Sequence, residues 1–148
     1  MNYEQWLEKI EELKKSNINT EKLNILKNES LNENIFDILE PKLIDLVNTK
    51  FEKSVSKLIN ELPMMFDDIN YLDLLLTEFK KELSYIKELI EIKQISQVSK
   101  SELYKSLSEK INSVYDILLK EAKRTDQTGI FEITIKNNKI NWSVENEL

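Results

Sequence analysis

The chain has 148 residues, carries 21 basic and 27 acidic side chains for a net charge of -6, and contains no histidine, no cysteine and one glycine, Gly129. Without histidine or cysteine it lacks the commonest general base, the commonest metal ligands and every thiol nucleophile. A single glycine excludes the glycine-rich loops that cradle phosphates, and an acidic balance argues against general nucleic-acid binding.

The length fits one domain, 1–148, large enough to bury a core unaided. The start, Met1-Asn2-Tyr3-Glu4-Gln5-Trp6, has neither the basic opening nor the apolar run of a secretion signal. No apolar stretch is long enough to span a bilayer. The expected compartment is therefore the cytoplasm, with no membrane partner. Arg124 is the sole arginine, so bidentate recognition of phosphate or carboxylate has almost nothing to work with.

The first helix is expected over residues 3–15. Tyr3, Trp6, Leu7, Ile10 and Leu13 recur at helical spacing, and Asn2 with Gln5 has the spacing of a capping box. Residues 16–19 read as a break. Thr20 is placed to cap a short helix over 21–27 carrying Leu23 and Leu26. The asparagine-rich stretch 28–34 reads as a loop. Ile35, Phe36, Ile38 and Leu39 suggest a short helical piece over 35–40.

Pro41 suits the first position of a new helix, because its missing N–H is not needed there. That helix is expected over 41–61, with Ile44, Val47, Phe51, Val55, Leu58 and Leu62 on its apolar face, and Pro63 stops it. A long helix follows over 68–95. Its seam, Ile69, Leu72, Leu76, Phe79, Leu83, Ile86 and Ile90, alternates steps of three and four. Leu75 and Leu89 widen the seam beyond that of a simple coiled coil. The next helix, over 100–124, carries Tyr104, Leu107, Ile111, Val114 and Leu118, with Ser99 and Glu102 spaced as a capping box. A short serine-rich turn joins the two, which predicts an antiparallel helical hairpin.

The period then changes from near 3.6 to 2. Phe131, Ile133 and Ile135 alternate with polar residues over 130–136, and Ile140, Trp142 and Val144 do so over 139–144. With Asn137-Asn138 as a two-residue turn, Ile135 faces Ile140, Ile133 faces Trp142 and Phe131 faces Val144, so every apolar side chain falls on one side. This predicts a C-terminal two-stranded β-hairpin. The fold class read from the sequence is mainly α: four to five helices in a bundle, with a long antiparallel helical hairpin and that β-hairpin.

Carboxylates are the catalytic residue type that remains. Glu78 and Glu82, and Glu88 and Glu91, share helix faces, but the matching acid on the next helix is missing: Asn112 follows Glu109, and Lys105 follows Glu102. Solvated faces are the preferred reading of such pairs. Asp67, Asp68 and Asp73 sit where acids favour a helix N-terminus without any metal. No catalytic residue, metal ligand or cofactor site is assigned.

Two places suit contact with another protein. Leu62-Pro63-Met64-Met65-Phe66 is an apolar stretch between helices, in which methionines adapt to varied surfaces. Trp142 lies on the apolar face of the expected hairpin. The candidate contact residues are Met64, Met65, Phe66 and Trp142. The function that fits is a non-enzymatic protein-binding module, such as an inhibitor, an immunity-type protein or an accessory regulator, with a basic partner suited to an acidic surface. The alternatives are a carboxylate-dependent, metal-assisted hydrolase of phosphate compounds and a structural homodimer.

Overall fold

The computed structural model describes residues 1–17, 20–29, 35–125, 129–140 and 142. Among these residues the protein is all helical, with α1 (Tyr3–Lys15), α2 (Thr20–Asn28), α3 (Phe36–Asn60), α4 (Leu62–Met65), α5 (Ile69–Ile90), α6 (Gln97–Thr125) and α7 (Ile130–Asn137). They gather into two compact units. Unit 1 comprises Met1–Glu52 and Ser84–Leu103. Unit 2 comprises Lys53–Leu83 and the described part of Tyr104–Leu148.

In unit 1, α1 begins with a complete capping box: the Gln5 N–H donates to Asn2 Oδ1 at 2.8 Å and the Asn2 N–H donates to Gln5 Oε1 at 2.9 Å. Two of the four orphan donors of the first turn are thereby satisfied. Trp6, Ile10 and Leu13 are buried along one face, together with Leu23 and Leu26 of α2. Lys22 of α2 lies 3.2 Å from Glu12 of α1. At the other end of α1, the buried Lys50 of α3 donates to the carbonyl of Ser16, a cation on the partial negative charge of a helix C-terminus.

The expected helices over 35–40 and 41–61 are one helix, α3, with Pro41 inside it. An interior proline removes one main-chain hydrogen bond and crowds the carbonyl four residues earlier. The helix persists because Leu39, Leu43, Leu46, Val47 and Phe51 are buried in a stripe that runs straight past the proline, while Pro41 itself faces solvent. The buried face is also rotated from the expected one. It includes Lys50 and Ser54, while Ile44 and Val55 are only half-buried.

α6 starts three residues earlier than the spacing of Ser99 and Glu102 predicts. Ser96 is its cap: the Ser99 N–H donates to Ser96 Oγ at 3.2 Å. Glu40 of α3 completes this end, accepting from the Ser96 N–H and from Ser99 Oγ, each at 2.9 Å. A carboxylate supplied from a distant helix is invisible to any local pattern.

Unit 2 is built on Leu58 of α3, Met65 of α4, Leu72, Leu76, Phe79 and Leu83 of α5, Leu107, Ile111, Tyr115, Leu118 and Ala122 of α6, and Ile135 of α7, all buried. Phe79 meets Tyr115 edge to face, with ring centroids 6.2 Å apart.

The C-terminal β-hairpin is not present. Residues 130–136, expected as its first strand, belong to α7, and no strand occurs among the described residues. Of the expected second strand, Lys139 and Ile140 are in irregular chain, while Asn141, Ser143 and Val144 lie outside the described residues. The expected loop over 28–34 likewise falls largely outside them, as do residues 18 and 19 of the expected break.

The physical reason is visible in α7. A lone two-stranded ribbon pairs only half of its main-chain groups, whereas a helix satisfies them internally. The helix also gains side-chain support. Glu132 pairs with Lys136 one turn on at 3.2 Å, in the orientation that suits the helix dipole, and Lys123 of α6 lies 3.7 Å from Glu132. The Asn138 side chain donates to the Thr134 carbonyl at 2.8 Å. Phe131 and Ile135 are four apart and share the inner face, while Ile133, which the strand pattern would have buried, is 58% exposed.

Candidate functional site

α4 is a single helical turn forced by its sequence. Pro63 sits in its first turn, where a missing N–H is harmless, and the Met64 N–H donates to the Glu61 carbonyl at 3.0 Å. Met65 points into unit 2 and is 0% exposed, and Met64 points outward and is 53% exposed. Phe66 is half-buried, edge to face with Phe131 of α7 at a centroid distance of 5.5 Å.

A groove of about 290 Å³ opens beside this turn. Leu62, Pro63 and Phe66 form one wall, and Glu121, Arg124 and Thr125 at the end of α6 form the other. The Arg124 guanidinium is paired with the Glu121 carboxylate one turn back, so the polar wall is internally neutral.

Asp68 directly precedes α5, and its carboxylate accepts from the Asn70 N–H at 2.9 Å, a capping contact. Tyr71 donates its hydroxyl to Glu61 at 2.6 Å. That hydrogen bond to a carboxylate, helped by burial and by the charges of Glu61 and Glu78, holds the phenol proton and raises the Tyr71 pKa above its ordinary value.

The four candidate contact residues therefore do not form one surface. Met64 is exposed and Phe66 lines the groove, whereas Met65 is core. Trp142 is 3% exposed and packs edge to face on Tyr104 of α6 at 5.8 Å. Leu62 and Pro63, part of the apolar stretch that the sequence marks for contact, form a groove wall, and the end of α6 opposite them is what the sequence does not reveal. The sole arginine, three residues after Glu121, was the one available signal.

The acid pairs do not converge. Glu82 lies 3.3 Å from Lys57, and Glu78 and Glu82 share only a shallow crevice of about 10 Å³, room for one water at most. Glu91 lies 4.0 Å from Lys100. Among the described residues no three acids are grouped so as to hold a metal ion, and no helix is long and apolar enough to cross a membrane.

No protein-family model, curated protein or solved structure matches this chain.

Proposed function

We propose that this chain is a non-enzymatic protein-binding module of the cytoplasm, acting as an inhibitor, an immunity-type blocker or an accessory regulator of one partner protein. The observation that carries this reading is the groove beside α4, walled on one side by Leu62, Pro63 and Phe66, together with the exposed Met64 of the same turn. Large apolar side chains on a surface depression are what interfaces use as anchors. The residue inventory agrees, since the chain has no histidine or cysteine to perform the commonest catalytic roles.

Affinity capture from lysate of the organism that encodes the chain tests the proposal, using the wild type and Met64→Glu as baits. One partner at near-equal amount with the wild type, and its loss with Met64→Glu, is the expected result. No stoichiometric partner on the wild-type bait would overturn it.

A further inference from the structure

The corner made by α4 and the start of α5 carries an unusual charge pattern. From Leu58 to Phe79 the chain contains Glu61, Asp67, Asp68, Asp73 and Glu78, and no lysine or arginine. Three other acids of unit 2 sit beside cations: Glu82 by Lys57, Glu121 by Arg124, and Glu132 by Lys123 and Lys136. Among the described residues, no cation pairs with Asp67, Asp68 or Asp73, and all three are exposed. The negative potential at this corner is therefore not cancelled locally.

Within this acidic run stand the apolar residues of the groove, Leu62, Pro63 and Phe66, and the exposed Met64. The opposite wall supplies no competing free charge, because Arg124 is held by Glu121.

We propose that this groove receives an amphipathic helix of a second protein, one whose apolar stripe is flanked by lysine and arginine. The inference rests on the binding-module reading and gives the chemistry of its partner. An apolar anchor on such a helix fills the space between Phe66 and Thr125, as helices do when they lay one face into a groove. Met64, unbranched and adaptable, closes over the next anchor along the stripe. The basic flanks meet Asp67, Asp68 and Asp73, which speeds encounter and rejects acidic helices. The same charges disfavour the other occupants. A second copy of this chain would bring like charges face to face, and an anionic membrane surface would be repelled.

The test uses a fluorescein-labelled amphipathic peptide of leucine and lysine, with a leucine–glutamate peptide of the same pattern as control, read by fluorescence anisotropy. The expected result is binding of the lysine peptide alone. Asp67→Lys combined with Asp73→Lys should weaken that binding about tenfold. Glu8→Lys combined with Glu88→Lys, exposed acids of unit 1, changes net charge equally and should weaken it by less than about twofold. Circular dichroism confirms that both double variants stay helical. Met64→Glu should also weaken binding. Equal binding of both peptides, no binding of either, or equal loss in the two double variants would overturn the inference. If the peptide fails while a captured partner still depends on Met64, the basic-helix assignment falls and the binding-module reading stands. If the peptide binds and no partner is captured, the reverse holds.

Discussion

The Tyr115 hydroxyl of α6 donates to the main-chain carbonyl of Asn138, where α7 ends, at 3.2 Å. The phenol ring is fully buried beneath it. One side-chain proton thus ties the C-terminal end of α7 to the core of unit 2.

Removing that hydroxyl leaves a carbonyl without its partner, so Tyr115→Phe should destabilise the protein by about 1–2 kcal/mol. Chemical denaturation followed by circular dichroism measures it. Burial also raises the Tyr115 pKa, although a main-chain hydrogen bond from Ile140 opposes the shift. A raised pKa in the folded state means a contribution to stability that is complete below the unfolded value, about 10 for tyrosine, and is lost as pH rises through the folded value. The stability gap between wild type and Tyr115→Phe should therefore narrow above about pH 10. A gap that stays constant or widens would contradict the burial of an uncharged phenol.

The two adjacent methionines should separate cleanly. Met65→Ala opens a cavity in unit 2 and should cost about 2–5 kcal/mol. Met64→Ala touches only surface and should change stability by no more than about 0.5 kcal/mol. Urea midpoints of the two variants check this, and a matching loss in both would mean that α4 is not oriented as described.

Pro41 interrupts the hydrogen-bond ladder of α3 at the Asp37 carbonyl. Pro41→Ala restores that bond on a solvent-facing position. An interior proline costs about 3 kcal/mol relative to alanine, and the stiffer unfolded chain gives back about 0.4–1 kcal/mol of that. The net expectation is stabilisation of roughly 2 kcal/mol, seen as a raised thermal midpoint. A lowered midpoint would show that the proline ring itself is needed for packing.

Gly129 precedes α7 with φ at 80°, and a Cβ there would meet no atom within 4 Å. Gly129→Ala should therefore cost only the left-handed backbone penalty, about 1–2 kcal/mol. Gly129→Asn should cost less, because asparagine tolerates that region. Comparison of the two unfolding curves distinguishes backbone strain from crowding, since crowding would penalise asparagine more.

Long periodic segments made the helices legible. The seams of α5 and α6 are buried at Leu72, Leu76, Phe79, Leu83, Leu107, Ile111 and Leu118, where the three-and-four spacing put them. The first cap was legible because Asn2 and Gln5 are three residues apart. What failed depended on distant residues. The seven residues 130–136, alternating by two, fit a strand on pattern alone, but Phe131 and Ile135 also share a helix face, and Phe66 and Tyr115, far off in sequence, decide between the two. Pro41 reads as a start because a proline suits a first helical position, but the buried Leu39 and Leu43 on either side of it carry one helix through. For the candidate site, Met64 and Phe66 could be read from composition. The wall opposite them could not, because nothing local brings α4 to the end of α6.

The alternation in α7 has a consequence for the protein when it is stressed. Ile130 to Ile135 is rich in β-branched and aromatic residues, holds one charge and has no proline. Such a segment is kept harmless by being wound into a helix, where its main-chain groups are already occupied. Once the tie at Asn138 loosens and the helix unwinds, the same residues become a strand-forming segment with nothing to pair with but other chains. Heat-damaged protein should therefore cross-seed through this C-terminal segment, and the helix serves as the sheath over a latent sheet.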